Sequence, residues 1–349
     1  MKYVMDQDLK QIWAYTSRDL VKLDGKTLFL TGCTGVFGVW LLSTLLFAKQ
    51  RGINTGKLFV LSRNPSDFIK KYPELVSGLE ITWICAEICD FAFPNVEIDY
   101  CIHGASTSAT ETFLGIPNIE KFITITKGSQ RILELVKTSQ IKSILYLSSG
   151  AVFGGDLLSP PAEFDERYVP RINHLDTVFT LGHAKRSAET MFFTARERHP
   201  QTIINIARLF TFVGPHMPTE VHYAIGNFVK SASEGITIKL NSDGSAIRSY
   251  MYMSDAIIWL IKCLTLNINV NFPLHVGSEQ EISIKQLADI VGSIGKCEVH
   301  SFDDHNNLSS PAPRRYIPST KLTKDTLGVE ELTDLETAIK NTLQWLSTV

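Results

Sequence analysis

The chain has 349 residues, of which 44% are apolar and 20% charged, with a mean hydropathy of +0.05. At about 150 residues per domain this allows two domains or one large α/β unit, and it excludes disordered, collagen-like and disulfide-scaffold chains. Thirty-four basic residues against 36 acidic ones leave a net charge of −2, so neither a nucleic acid nor a polybasic membrane contact is expected.

Residues 6–22 read as an amphipathic helix placed ahead of the main fold, with Leu9, Ile12, Trp13 and Leu20 as its apolar positions. From Lys26 onward, continuous apolar runs suited to strands occur at 27–31, 58–62, 81–86, 100–103, 143–148 and 203–208. Helical stretches at 37–49, 123–138 and 181–198 alternate with them. Strand runs without polar alternation, separated by helices, describe a parallel sheet covered on both faces, and the order predicts a doubly wound α/β fold. After Gly214-Pro215 come a helix at 225–233, a strand at 237–240, an Asp243-Gly244 turn, a helix at 284–291, a strand near 297–301 and a terminal helix at 335–346. The expected organisation is a helical extension at 1–25, a dinucleotide-binding domain from 26–214 with 248–275, and a smaller discontinuous lobe from 215–247 with 276–349.

The opening MKYVMDQDLK is too polar for a signal peptide. The longest apolar stretch, 39–48, is about half of the ~20 residues a membrane span needs. It reads as a buried helix, and a cytoplasmic protein is expected. Of the six cysteines only Cys85 and Cys89 are close, with no second ligand pair nearby. No metal site is expected, and the thiols are read as buried and free in a reducing compartment.

The strongest local signal is Thr31-Gly32-Cys33-Thr34-Gly35-Val36-Phe37-Gly38, a GxxGxxG after a strand and opening a helix. Gly32 permits a tight turn, Gly35 lets the backbone approach a pyrophosphate, and Gly38 lets helix and strand pack closely. The helix N-terminus adds free N–H groups and the positive end of its dipole. The second strand ends Leu61-Ser62-Arg63-Asn64 where a ribose-binding carboxylate would favour NAD. Arg63 can pair with a 2′-phosphate and Ser62 can hydrogen-bond it, which favours NADP over NAD. Asp90, with Ile88 before it, is placed to receive the adenine amino group.

Together with His103-Gly104-Ala105-Ser106, Ser148-Ser149-Gly150-Ala151-Val152-Phe153-Gly154, Gly182-His183-Ala184-Lys185-Arg186-Ser187-Ala188-Glu189, Arg208 to Gly214-Pro215, Arg248-Ser249-Tyr250 with Ser254-Asp255, and His275-Val276-Gly277-Ser278, this loop resembles the extended short-chain dehydrogenase/reductases. The likeness is to their sugar-nucleotide epimerases and dehydratases, and it runs over nearly the whole chain from Lys26. It implies an NAD(P)-binding Rossmann domain and a nucleotide-diphosphate sugar substrate. Gly104, Ala105, Ser106 and Phe210 join Gly32, Thr34, Gly35, Val36, Phe37 and Gly38 as implied cofactor contacts.

In that family a Ser or Thr, a Tyr and a Lys surround the nicotinamide and the sugar C4. The Tyr, four residues before the Lys, accepts the sugar hydroxyl proton, and the Lys holds the nicotinamide ribose while lowering the Tyr pKa. Ser149 and Lys185 match two of the three. The Tyr position holds Leu181, which cannot accept a proton. Three explanations stand open: a compensated natural substitution, a non-catalytic cofactor or nucleotide binder, and an engineered trap. Glu111, His216 and His222 are the candidate replacement acceptors, with Glu111 and His222 ranked ahead. His183 turns about 200° away from Leu181 on their helix and reads as an outward or inter-helix residue.

Other departures narrow the implied reaction. The family's soluble 4,6-dehydratases carry Asp-Glu where this chain has Gly150 and Ala151, and its UDP-glucuronate decarboxylases carry Glu at the position of Ala151. Epimerisation or plain oxidation-reduction at a sugar carbon therefore fits better than elimination. Asn227 and Arg248 match family contacts to the substrate diphosphate. Ser149, Gly150, His216 and Arg315, or its neighbour Arg314, complete the implied substrate set. Family members often pair through two long helices, for which Ile123, Ile132, Leu133, Leu135, Phe192 and Phe193 supply apolar surface, and a homodimer is expected.

Overall fold

The computed structural model describes residues 3–106, 115–158, 165–169, 173, 175–219, 223–301 and 314–348. Helix α1 (Asp6–Leu20) leads through a 3₁₀ turn, Val21–Leu23, into β1 (Leu28–Thr31), α2 (Val36–Lys49) and β2 (Leu58–Ser62). Then come α3 (Ser66–Lys71), α4 (Pro73–Leu79), β3 (Thr82–Cys85), β4 (Tyr100–His103), α5 (Asn118–Thr138), β5 (Ser143–Ser149), α6 (Thr180–Arg198) and β6 (Ile203–Leu209). The second half runs β7 (Phe212–Val213), α7 (Ala224–Ser233), β8 (Ile238–Lys239), β9 (Ile247–Arg248), β10 (Met251–Tyr252), α8 (Met253–Thr265) and β11 (Leu274–Val276). It ends with β12 (Ile282–Ser283), α9 (Ile284–Gly295), β13 (Val299–His300), β14 (Arg315–Tyr316), α10 (Lys321–Leu327) and α11 (Leu335–Leu346).

Seven parallel strands form the main sheet in the order β11-β6-β5-β4-β1-β2-β3. The chain reverses its winding direction between β1 and β4, whose registers pair Leu28 with Tyr100 and Thr31 with His103. Loops leaving the carboxyl ends of such a strand pair diverge and leave a crevice. Successive side chains in each strand point to opposite faces, so the sheet carries two cores. Leu28, Leu30, Val60, Ile102 and Leu145 join the side of α2 and α8. Phe29, Leu61, Cys101, Ile144 and Tyr146 join the side of α5 and α6.

The apolar 39–48 stretch lies inside α2 and is buried along most of its length. No described helix is long and apolar enough to cross a membrane. Helix α8 was not marked by periodicity, because it is buried on nearly every side and offers no polar face to set a phase. Strand β11 and helices α3, α4 and α10 also carried no separate sequence signal, being short. Helix α1 is not appended to the surface. It packs on α8 and α2, with Asp8 accepting from Tyr252 at 2.9 Å and Gln11 donating to Asp255 at 2.9 Å.

The small strands form three further sheets, β10-β7, β12-β9-β14 and β13-β8, with α7, α9 and α11 packed together beside them. In the middle one, Tyr316 of β14 stands opposite Arg248 of β9. All six cysteines are free, but only Cys33, Cys101 and Cys263 are buried. Cys85 is exposed, and Cys89 and Cys297 are half-buried, which corrects the expectation for those three.

Candidate active site

The glycine loop closes the crevice by backbone contact. Gly32 adopts φ +76°, and a Cβ there would stand 2.5 Å from the Gly104 carbonyl carbon. A Cβ on Gly38 would run into the Cys33 carbonyl. Gly35 differs: it begins α2 without a side-chain cap, and a Cβ would meet only the Gly32 oxygen, at 3.5 Å. Two of the glycines are thus required by the chain itself, while the third faces open space at a helix N-terminus, where an anion is favoured. Across the switch point, Thr31 Oγ1 pairs with His103 Nδ1 at 2.9 Å and accepts from the Ala105 N–H at 3.1 Å. Burial, with Lys185 nearby, pushes His103 down to about 3, so it stays neutral.

Gly32, Thr34, Gly35, Ser62, Arg63, Ile88, Gly104, Ala105 and Ser106 line one cleft of about 710 Å³. Val36, Phe37 and Gly38 follow in the first turns of α2. Asp90 is not among the lining residues; its N–H closes a short turn onto the Glu87 carbonyl. The carboxylates in the cleft are Glu87 and, from α5, Glu120; the sequence reading missed Glu87 because β3 ends at Cys85, earlier than expected. A dinucleotide fits these residues: the uncapped helix end and the room above Gly35 suit its phosphates, and Ser62 and Arg63 its adenosine ribose.

The chemistry-bearing pair stands at the end of β5. Ser149 Oγ accepts from the Ala151 N–H at 3.1 Å. Lys185 is buried on α6 and donates to the Leu147 carbonyl at 2.8 Å. Burial lowers its ammonium to about 8, against an upward pull from Glu189. Leu181 shares this helical face one turn earlier and packs on the α5–α6 side core. Beneath Lys185, Glu189 receives Ser148 Oγ at 2.6 Å and both arms of Arg208, at 2.9 and 2.8 Å. This buried, fully used carboxylate fixes α6 to β5 and β6, and so places Lys185. The sequence reading quoted Ser148, Glu189 and Arg208 only as motif letters, since no spacing rule joins residues from three elements.

Phe210 stacks among Phe153, His275 and Tyr316, with ring centres 6.2, 5.2 and 5.3 Å away. Tyr316 is the other group missed: its hydroxyl stands over Gly150, the residue after Ser149. It follows a segment with no periodic pattern, and only the fold shows where it points.

Several expected substrate contacts fall elsewhere. His216 is a structural residue: Tyr72 Oη lies 3.1 Å from its Nδ1, Nε2 meets the Tyr3 carbonyl, and Trp345 packs edge-on at 4.6 Å. Burial pushes it down to about 4, and both ring nitrogens are already engaged by Tyr72 and Tyr3. Arg315 is paired with Glu281 rather than open to a ligand. Arg248 donates to the Ile247 and Arg314 carbonyls at 2.8 and 2.9 Å. It does not pair with Asp255, which takes the Leu332 and Thr333 N–H groups instead. Asn227 is exposed on α7 and outside the cleft lining. Gly150 touches the Tyr316 hydroxyl region. His183 meets the Asp176 carbonyl at 3.2 Å, away from the cleft. Glu111 and His222 lie outside the described residues. No group of three metal-ligating side chains occurs among the described residues.

A glycine loop at the switch point, with a serine and a buried lysine at the next strand end, defines a dinucleotide-dependent site of the short-chain type. The chain belongs to the NAD-dependent epimerase/dehydratase family, whose sequence model matches residues 28–271. Curated relatives include UDP-glucuronic acid decarboxylase 1 of Xenopus tropicalis, 28% identical over 72% of this chain and 57% of that protein. UDP-glucuronic acid decarboxylase 6 of Arabidopsis thaliana is 27% identical over 67% of this chain and 66% of its own length. The chain thus spans less than two thirds of these relatives. Among solved structures, epimerase Mth375 of Methanothermobacter thermautotrophicus superposes with a TM-score of 0.74 at 19% identity, covering 96% of each chain. A Bacillus cereus UDP-glucuronic acid 4-epimerase, solved with UDP-glucuronic acid and NAD, gives 0.72 at 18% identity over 92% of this chain and 99% of that one. These likenesses show the fold.

Proposed function

We propose that the protein modifies a nucleotide-diphosphate sugar by hydride transfer at a sugar carbon, in the manner of an epimerase or oxidoreductase. The observation that supports this reading is that Ser149 and a buried Lys185 are both anchored at the end of β5, Lys185 on the Leu147 carbonyl and Ser149 under the Ala151 N–H. A nicotinamide dinucleotide, when bound, supplies the hydride acceptor and donor. Gly32, Gly35 and the α2 N-terminus hold its phosphates, and Arg63 with Ser62 favours NADP. Lys185 steadies the nicotinamide ribose by charge, and Ser149 hydrogen-bonds the sugar oxygen as it gains or loses negative charge. The proton goes to a pocket group or ordered water, since Leu181 offers no base. Gly150 and Ala151 supply no carboxylate for elimination or decarboxylation.

The test is incubation with NAD or NADP and a panel of UDP-glucose, UDP-glucuronic acid, UDP-N-acetylglucosamine and dTDP-glucose. Reduced-nicotinamide absorbance and product masses are the readouts. A new sugar nucleotide is the expected result; neither product nor reduced nicotinamide across the panel overturns the reading. Tighter binding of NAD than of NADP, measured calorimetrically, overturns the Arg63 assignment alone. A second reading, binding of cofactor and sugar nucleotide without hydride transfer, is favoured by Leu181. It predicts calorimetric binding with a silent panel.

A homodimer is part of the proposal. Ile132, Leu135 and Phe192 are wholly buried in the α5–α6 side core and are not available to a partner. Ile119, 62% exposed on α5, remains for such a contact, with Leu133 and Phe193 half-buried, whereas Ile123 lines the cleft.

A further inference from the structure

Helix α5 begins beside the cleft and presents three faces in its first turns. Glu120, Ile123 and Thr124 line the cleft, while Asn118, Ile119 and Phe122 border a groove shared with α6. The third face is buried and runs through Lys121, Ile125, Gly128, Ser129 and Ile132. An ammonium is out of place at the head of this stripe. Lys121 is only 6% exposed, and it stands near the positive end of the helix dipole, where a cation is disfavoured. It makes no hydrogen bond or ion pair among the described residues, yet it is not one of the sealed, unpartnered polar atoms. The charge therefore opens onto space that a ligand can enter. The helix N-terminus beside it has no side-chain cap, so its N–H groups add to the demand for an anion.

The height of Lys121 over the sheet follows from contacts further along the helix. Ser129 Oγ lies 3.4 Å from His103 Nε2 at the end of β4, and Gly128 rests on the Ile88 side chain. At about 1.5 Å per residue, Lys121 lies about 12 Å beyond that level, toward the helix start. Ser106, on the chain leaving β4, lies about 10 Å beyond it at extended-chain spacing. His103 pairs with Tyr146, which puts Ser149 of β5 in the same layer as Ser106. Lys121 thus stands at the height of Ser149. Helices α2 and α5 cover opposite faces of the sheet, and the dinucleotide phosphates are provided for at the α2 end, above β1. The anion left for Lys121 is one carried by the sugar. We propose that Lys121 is a specificity-determining residue: its ammonium, with the α5 N-terminus, pairs with the carboxylate of a uronic-acid sugar nucleotide. The contact is a charge-assisted hydrogen bond. A neutral hexose leaves this buried charge unmatched, and that cost separates the two sugars.

This inference rests on the proposed placing of a sugar at Ser149, and one pair of ligands isolates it. UDP-glucuronic acid and UDP-glucose differ at a single carbon, carboxylate against hydroxymethyl. Calorimetric affinities are compared for the parent, Lys121→Met and Lys121→Arg, with NAD and NADP as further ligands. The parent is expected to bind UDP-glucuronic acid about tenfold or more tightly than UDP-glucose, as a hydrogen bond between charged groups provides. Lys121→Met keeps the alkyl stem and the helix propensity. It is expected to abolish that preference while changing affinity for UDP-glucose and both dinucleotides by less than about twofold. Lys121→Arg is expected to retain most of the preference. Since Lys121→Met removes an unmatched buried charge, its Tm without ligand should not fall below that of the parent. A parent without the preference, an equal loss for both sugar nucleotides, a loss in dinucleotide affinity, or a Lys121→Met Tm several degrees lower overturns the inference. A parent that turns over neutral sugars and does not prefer the uronate leaves the hydride-transfer reading standing and overturns the role of Lys121. A parent that prefers the uronate but turns over nothing sinks the hydride-transfer reading, while the affinities still decide the role of Lys121. If the parent binds neither sugar nucleotide, both readings fall.

Discussion

Leu181 sits one helical turn before Lys185, on the same helical face. Because Lys185 donates to the Leu147 carbonyl rather than to a phenol, its charge is stabilised from below and is independent of residue 181. Replacing Leu181 with Tyr puts a phenol within reach of that ammonium, which would lower the phenol pKa. If the site is a degenerate or trapped form of the usual one, Leu181→Tyr raises kcat by about 10²–10⁴, the range for a positioned acid/base group. If another pocket group has taken over the proton, the same change lowers activity by crowding. Initial rates on the sugar-nucleotide panel distinguish the two.

At the scale of the element, the turn from β1 into α2 separates packing from binding within one glycine run. Gly38→Ala drives a methyl group into the Cys33 carbonyl and is expected to cost about 1–3 kcal/mol of stability, as overpacking does. Gly35→Ala, whose Cβ meets nothing closer than 3.5 Å, leaves Tm unchanged but fills the space above the helix end, lowering dinucleotide affinity at least tenfold. Thermal melts and calorimetry on the two variants give opposite patterns; similar patterns would show that the loop is structural only. This loop was the most legible part of the chain, because its demands are local and one glycine rule covers each position. Strands β2 and β4 match the expected bounds for the same reason: an unbroken apolar run buried on both faces looks alike in sequence and in space. Glu87, Tyr316 and the Glu189–Arg208 pair were not legible, since each acquires its meaning from an element far away in the chain. His216 misled in the opposite sense. Its sequence position beside Gly214-Pro215 suggested the substrate, whereas its contacts are with Tyr3, Tyr72 and Trp345.

Over the whole molecule, the seam where α1 meets α8 and the 331–333 segment concentrates buried acids. Burial raises Asp8 to about 7, Asp255 to about 6 and Glu331 to about 7, from unfolded values of 3.8, 3.8 and 4.5. The folded chain therefore holds more protons there than the unfolded chain, so the seam's contribution is complete below about pH 4 and is lost as pH rises through 6 to 7. His103, His216 and His275, lowered to about 3, 4 and 3 by burial, act in the other direction between pH 3 and 6.5. The difference between parent and Asp8→Asn isolates the acid part: the Tm of the variant should gain on the parent from about pH 4 to pH 7 and level off above it. A constant difference across that interval would show that Asp8 does not titrate with folding. Assembly is tested at the same scale. Ile119→Glu places charge on the exposed face of α5 and is expected to convert a dimer to a monomer by light scattering; an unchanged mass puts the contact elsewhere.

The glycine at position 150 also bears on how this chain diverged. Its missing side chain and the Tyr316 hydroxyl occupy one small volume, so neither can be altered alone without consequence for the other. An acidic side chain at position 150 would leave no room for a phenol arriving from β14. Among homologues the two letters should be inherited together, and a glycine with a distant tyrosine becomes a sequence mark for this branch even where residue 181 varies.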